Sequence, residues 1–316
     1  MTTAGEDPRP AFLKSLDLSA CRVEYASAPL VLVCGGHVPE KAHPDAPDPA
    51  MRSLRHAISK SHTDFEIFRP EEITNWHNDG VFKDLMSLEQ ELANICSLIV
   101  IIVESVGSMV ELGAFSQLPD LAEKLITISS GNFGDDTSFV NLGILRFLAA
   151  KNDSRVKRYP WQIDKPEEIS MELVEDIVAD IKIELGKLPA STLLKVDEDA
   201  HCTVFISELI RLFGALKESE IFEYLSMCGF AISMDKLRSK IFLLIQFRVI
   251  KIEEYSAKFY IAGKEPFHRL RLAAIDKIKI ADALRIETLC LDFYRSDPTY
   301  KNWHRAITRA RKAAGK

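Results

Sequence analysis

The sequence predicts an α/β protein: a doubly wound, Rossmann-like parallel sheet, followed by a mainly helical domain of winged helix-turn-helix type. Three observations carry this expectation. Two continuous apolar runs, Leu30 to Cys34 and Leu98 to Val103, have the length of buried strands and fall far short of a membrane span. Strand-like and helix-like segments alternate through the first half, as in a parallel sheet covered on both faces. From Glu167 onward the pattern is helical, with three helices leading into two short β-rich runs.

Taken in order, residues 1–27 read as a flexible tail. They lack a basic segment followed by an apolar one, so they are not a secretory signal, and a cytoplasmic location is expected. The sheet domain is assigned to residues 28–165. Its first strand ends at Gly35-Gly36, and the Pro- and Asp-rich stretch from His37 to Pro49 is loop. Met51 to Lys60 is helical, with Leu54 and Ile58 on one face. Asp64 to Arg69 is a second strand, stopped by Pro70. A loop containing Trp76 and His77 precedes a helix from Phe82 to Ile95. After the strand at 98–103 comes a turn with Gly107 and Ser108, then a helix beginning near Val110 with Glu111 in its first turn. Leu125 to Ile128 is a fourth strand. In such sheets ligands bind beyond the carboxyl ends of the strands. The loops after Cys34, Arg69, Val103 and Ile128 should therefore line one site, with His37, His77 and Trp76 as either ligand contacts or ordinary loop residues.

Residues 166–200 read as a helical connector. Residues 201–316 form the second domain, with helices near 204–215, 218–227 and 234–246, a hairpin over 247–262, and a basic helical remainder. The net charge is −6, unevenly spread: residues 236–316 hold 19 Lys+Arg against 8 Asp+Glu, and the first 235 residues hold 21 against 38. The basic end therefore meets either a polyanion or an acidic surface of its own chain or a neighbour. Lys236 and Lys240 share one face of the third helix, and Arg248, Lys251 and Lys258 fall on the wing. This module contacts either nucleic acid or protein. The six cysteines are scattered, with no CxxC pair or zinc-ligand spacing, so neither disulfides nor a structural metal are expected. No GxxxxGK[ST], GxSxG or GxGxxG motif occurs, which argues against P-loop, serine-hydrolase and dinucleotide-dehydrogenase chemistry.

The most informative stretch is Glu104-Ser-Val-Gly-Ser-Met-Val-Glu-Leu-Gly-Ala-Phe115. A helix start at the end of a buried strand favours anionic or hydroxyl-rich ligands. By residue type alone, Glu111 is either a helix-start residue or a catalytic carboxylate. The stretch resembles the signature of nucleoside 2-deoxyribosyltransferases, in which a Glu-Leu-Gly segment follows a Gly-containing turn. It is closer to the ribosyltransferase-like effectors of bacterial retrons, through Cys34-Gly-Gly36, Phe68-x-Pro70-Glu71, Ser87-Leu-Glu89, Glu104-Ser-x-Gly-Ser108 and Phe139-x-Asn141-x-Gly143. The resemblance implies that Glu111 attacks or stabilises an anomeric carbon. Glu89 lies where the family often places an Asp that contacts the leaving base; by residue type alone it is either that or a solvated helix-face glutamate. Cys34, Gly35, Gly36, His37, Pro70, Glu104, Ser105, Gly107, Ser108 and Asn141 would surround the substrate. The transferases carry an early Tyr in the first-strand turn; Cys34-Gly-Gly-His37 has none, which favours hydrolysis or a changed substrate. No cofactor is implied, with NAD+ itself a plausible substrate. The resemblance further implies a toxic antiphage effector restrained by a retron reverse transcriptase and its branched RNA–DNA (msDNA), and a possible homo-oligomer. A non-enzymatic nucleotide sensor with a DNA-binding domain is the alternative.

Overall fold

The computed structural model describes residues 6–25, 29–41, 43, 45–73, 80–131, 137–263, 268–276 and 282–313. It divides into two compact units, one of residues 27–75 with 84–189, the other of 1–26, 76–83 and 190–316. The chain opens with α1 (Pro8–Lys14) and β1 (Arg22–Tyr25), both in the second unit.

The sheet unit begins with β2 (Leu30–Cys34), α2 (Leu54–Lys60), β3 (Glu66–Phe68) and α3 (Leu85–Ile95). It continues with β4 (Leu98–Val103), α4 (Val106–Ser116), α5 (Pro119–Ala122), β5 (Leu125–Ser130), α6 (Arg146–Lys151), β6 (Val156–Tyr159) and α7 (Met171–Gly186). The five strands are all parallel, in the order β3-β2-β4-β5-β6. Every residue of β2, β4 and β5 is buried; β2 and β4 are the unbroken apolar runs that burial on both faces requires, and β5 also buries Thr127, Ser129 and Ser130. On one face, Val31, Val100 and Ile128 meet Leu54 and Ile58 of α2 and Ile177 and Ile181 of α7 in a single core. Helices α3 and α4 also pack against strands of this sheet. The direction of strand addition reverses between β2 and β4, where doubly wound sheets open a ligand crevice.

Two expected boundaries are corrected. Helix α7 is no connector: its apolar stripe at Val174, Ile177, Val178 and Ile181 is part of the sheet core. Nor are residues 8–25 a flexible tail. Arg9 is 1% exposed, bonded to Asp7 and to Glu220 and stacked within 5.1–5.6 Å of the Tyr224, Tyr294 and Tyr300 rings. Strand β1 sits between two antiparallel neighbours. These partners lie some 200 residues away in sequence, and local periodicity does not reveal them.

The second unit continues with β7 (Ser191–Leu193), α8 (Asp199–Phe213), β8 (Ala215–Leu216), α9 (Glu218–Met227), α10 (Met234–Gln246), β9 (Ile250–Glu254) and β10 (Lys258–Ala262). It closes with β11 (His268–Arg271), α11 (Ala283–Ser296) and α12 (Lys301–Ala313). Strands β8, β10 and β9 form one antiparallel sheet in that order, and β11, β1 and β7 form another. No helix among the described residues is long and apolar enough to cross a membrane.

Candidate active site

The site is built where β2 and β4 end side by side. The chain leaves β2 through Gly35-Gly36 and returns at the N-terminus of α2, which Ser53 caps by accepting the His56 N–H. The approach is too close for side chains. A Cβ on Gly36 would sit 2.6 Å from Ser53 Cβ, and one on Gly35 would sit 3.0 Å from Arg55 Cβ. Glu104, just past β4, braces this corner. Its carboxylate accepts N–H groups from Gly36 (2.9 Å), Leu54 (2.8 Å) and Arg55 (3.0 Å). Both oxygens are thus spent on the backbone, so Glu104 shapes the site rather than offering a free carboxylate to a ligand.

Ser105 caps α4, its hydroxyl donating to Gly35 O (3.0 Å) and accepting the Ser108 N–H (3.1 Å). Ser108 returns the bond by accepting the Ser105 N–H, a reciprocal capping box. Helix α4 therefore begins at Val106, earlier than the sequence suggests, and Gly107 lies exposed inside its first turn. Glu111 is consequently a second-turn residue. This corrects the helix-start placement and removes the simple capping explanation for a glutamate there. The buried stripe of Ser108, Leu112 and Phe115 fixes the helix rotation, and Glu111 lies at its margin, half-buried.

Three ionisable groups converge with Glu111. The Cys34 thiol, 1% exposed at the end of β2, lies close enough to influence its carboxylate. Its Oε2 is buried and has no hydrogen-bond partner among the described residues. Burial pushes the Glu111 carboxyl above its ordinary range, while the Arg55 cation and the Cys34 thiol pull it back. Glu89, from α3, is 8% exposed; burial first, and then the negative charge of Glu111, push its carboxyl up to about 7. Burial likewise holds the Cys34 thiol well above its usual range, with both carboxylates adding to the effect. Cys34 is therefore a neutral thiol and not a thiolate nucleophile.

Arg55 is the cation that lets two acids share this cleft, and sequence reading did not single it out. Its guanidinium is buried, with Nε on Val33 O (2.9 Å) and Nη2 on Glu71 Oε2 (2.6 Å). The available signal was an arginine in the first turn of a helix, where the dipole disfavours positive charge. Pro70 is buried at the start of the single turn that presents Glu71. Asn141 is 6% exposed in the π-helical stretch Val140–Leu145, which packs on α4. The His37 side chain is exposed, and its carbonyl accepts the Ser53 hydroxyl. Trp76 and His77 lie outside the described residues.

In the second unit, Lys240 requires correction. It is 0% exposed, with Nζ on the Asp199 carbonyl (3.1 Å), and is no surface contact. Lys236 pairs with the Asp199 carboxylate, and the neighbouring Arg238 pairs with Glu218 (3.0 Å). Arg248, Lys251 and Lys258 are exposed on and beside the β9–β10 hairpin.

The chain is similar in sequence to known proteins. A 132-residue stretch is 35% identical to the Escherichia coli protein named "Retron Ec86 putative ribosyltransferase/DNA-binding protein", covering 40% of each chain. A shorter stretch of 74 residues is 30% identical to the corresponding Escherichia coli Retron Ec73 protein, covering 23% of each. The match thus spans well under half the length of these relatives. Residues 51–252, more than half of the chain and including Arg55, Glu89, Glu104 and Glu111, match the family described as "STM3845 retron effector protein". The chain belongs to that family of retron effectors.

Proposed function

We propose that the sheet unit is a nucleoside deoxyribosyltransferase-like N-glycosidase that cleaves the base–ribose bond of a nucleotide, with NAD+ the favoured substrate. The observation that carries this reading is the proximity of Glu111 and Glu89 near the strand-order reversal, close enough for the charge of Glu111 to raise Glu89, with Glu111 Oε2 buried and unpartnered among the described residues. A ribose in this crevice would turn its anomeric carbon toward Oε2. As the C–N bond breaks, its electron pair leaves with the base and positive charge grows on the sugar. An adjacent carboxylate stabilises or captures that charge. Water then adds at the anomeric carbon and releases its proton.

The two carboxyl groups divide the work through their surroundings, as acid–base pairs do when neighbouring charges separate their titrations. Arg55 and the Cys34 thiol favour the charged form of Glu111. Glu89, at about 7, holds a proton through part of the neutral range and can give it to a leaving base. Nicotinamide in NAD+ already carries positive charge and needs no proton. The relatives' names, which include ribosyltransferase, support the chemical class.

As a retron effector the protein would act as the toxic arm, restrained by the reverse transcriptase and its msDNA. The second unit supports a winged-helix reading through its order α8-β8-α9-α10-β9-β10 and its sheet order β8-β10-β9. Incubating the purified chain with NAD+ and a panel of nucleotides and nucleosides, and separating the products by chromatography, tests the activity. Free nicotinamide and ADP-ribose are expected. Ligand binding with no base released from any member of the panel would instead support a nucleotide-sensing DNA-binding regulator.

A further inference from the structure

The third helix of a winged helix usually enters the groove of DNA. Here α10 is poorly equipped for that role. Lys236 and Lys240 both turn to Asp199, Lys240 is wholly buried, and Arg238 is held by Glu218. The remaining exposed charge near its start, Asp235, is negative.

A longer row of exposed positive charge lies elsewhere in the same unit. Helix α12 carries Lys301, Arg305, Arg309 and Lys312, all exposed. At 100° per residue these four fall within one stripe, about 16 Å long at 1.5 Å per residue. The opposite face is already buried: Trp303, Ala306 and Ile307 are 9%, 1% and 5% exposed, and the Trp303 ring packs 5.0 Å from that of Phe259. An amphipathic basic helix whose apolar face is committed to its own domain has nothing left to insert into a lipid surface. Arg305 stacks on Tyr255 (5.3 Å) and donates to its hydroxyl, and Arg309 pairs with Glu253, so the stripe is tied to the β9–β10 hairpin. That hairpin adds Lys251 and Lys258, also exposed.

We propose that this unit grips the phosphate backbone of a nucleic acid through α12 and the β9–β10 hairpin, and not through α10. A row of exposed cations with few fixed acceptors suits backbone contact, which positions a nucleic acid without reading its sequence. The inference rests on the DNA-binding reading of the second unit and names the face that would do it.

The test uses the full chain and a fluorescent mixed-sequence DNA duplex of about 20 base pairs, titrated at several salt concentrations. Replacing Lys301, Arg305, Arg309 and Lys312 together by Gln should weaken binding at least about tenfold, and should flatten the dependence of log affinity on log salt by about 3.6 if all four contact phosphates, since each phosphate contact contributes about 0.9. The paired substitution Lys236→Gln with Arg238→Gln should change affinity less than about twofold. All six positions are at least partly exposed, and unchanged melting curves would confirm folding. Retained affinity in the α12 variant, or a large loss confined to the α10 variant, would overturn the proposal. So would salt-sensitive binding to anionic phospholipid vesicles in place of DNA. If the unaltered chain binds no duplex at any salt, the DNA-binding reading itself fails, and this inference with it.

Discussion

At the scale of single residues, the site turns on how four side chains set one another's charge. Glu89 offers a prediction with a definite sign. Its carboxyl is raised from 4.5 to about 7 in the folded protein. A raised acid favours folding below its unfolded value, and that contribution is lost as pH rises from about 4.5 through 7. Glu89→Gln removes the penalty of ionising a buried acid. Its melting temperature should exceed that of the unaltered protein at pH 8 and match it near pH 4. Equal differences at both pH values would contradict the burial argument. In activity, base release from nucleosides with neutral leaving groups should fall as pH rises through 7, and release from NAD+ should not. Arg55→Met removes the cation that favours ionised Glu111, so the acid limb of the pH–rate profile should move to higher pH. An unmoved limb would mean that Arg55 serves only Glu71 and the backbone.

At the scale of elements, the corner joining β2, β4 and α2 is the most constrained part of the site. Gly36→Ala would force a Cβ to 2.6 Å from Ser53. Overpacking of this kind costs about 1–3 kcal/mol, and chemical denaturation should show it. The same substitution at Gly107, where an added Cβ meets only the Ser105 hydroxyl at 3.8 Å, should leave packing undisturbed. Elements also show what the sequence discloses. Strands β2 and β4 were legible because burial on both faces leaves an unbroken apolar run. Strand β6, Val-Lys-Arg-Tyr, is not legible because it is an edge strand whose residues are partly buried or, at Arg158, exposed. The carboxylates Glu111 and Glu89 were legible through family resemblance. Arg55 was not, because its value lies in contacts with Val33, Gly36 and Glu71 that only the folded corner brings together.

At the scale of the whole molecule, the chain folds back on itself in sequence. Its first 25 residues belong with the C-terminal unit, so that unit cannot be excised as residues 201–316 without losing β1 and α1. Arg9 is the clearest anchor, buried among Tyr224, Tyr294 and Tyr300 and bonded to Asp7 and Glu220. Breaking a buried ion pair from one side costs about 3–5 kcal/mol, because the partner charge is left uncompensated. Arg9→Ala should therefore lower stability to urea by that order. A loss under about 1 kcal/mol would mean that α1 is dispensable to the unit. The two-unit organisation also explains the charge asymmetry in part: in α12, Arg309 and Arg311 pair with Glu253 and Glu287 of their own unit, while Lys301, Arg305 and Lys312 are exposed outside these pairs.

The central claim is that Glu111 acts at the anomeric carbon, and Glu111→Gln tests it most directly. Gln keeps the size and hydrogen-bonding capacity of Glu and removes the charge. With folding confirmed by melting temperature, base release from the best substrate of the panel should fall by about 100-fold or more, while substrate binding persists. Full base release by the folded Gln variant would contradict the account and return Glu111 to the role of an ordinary helix residue.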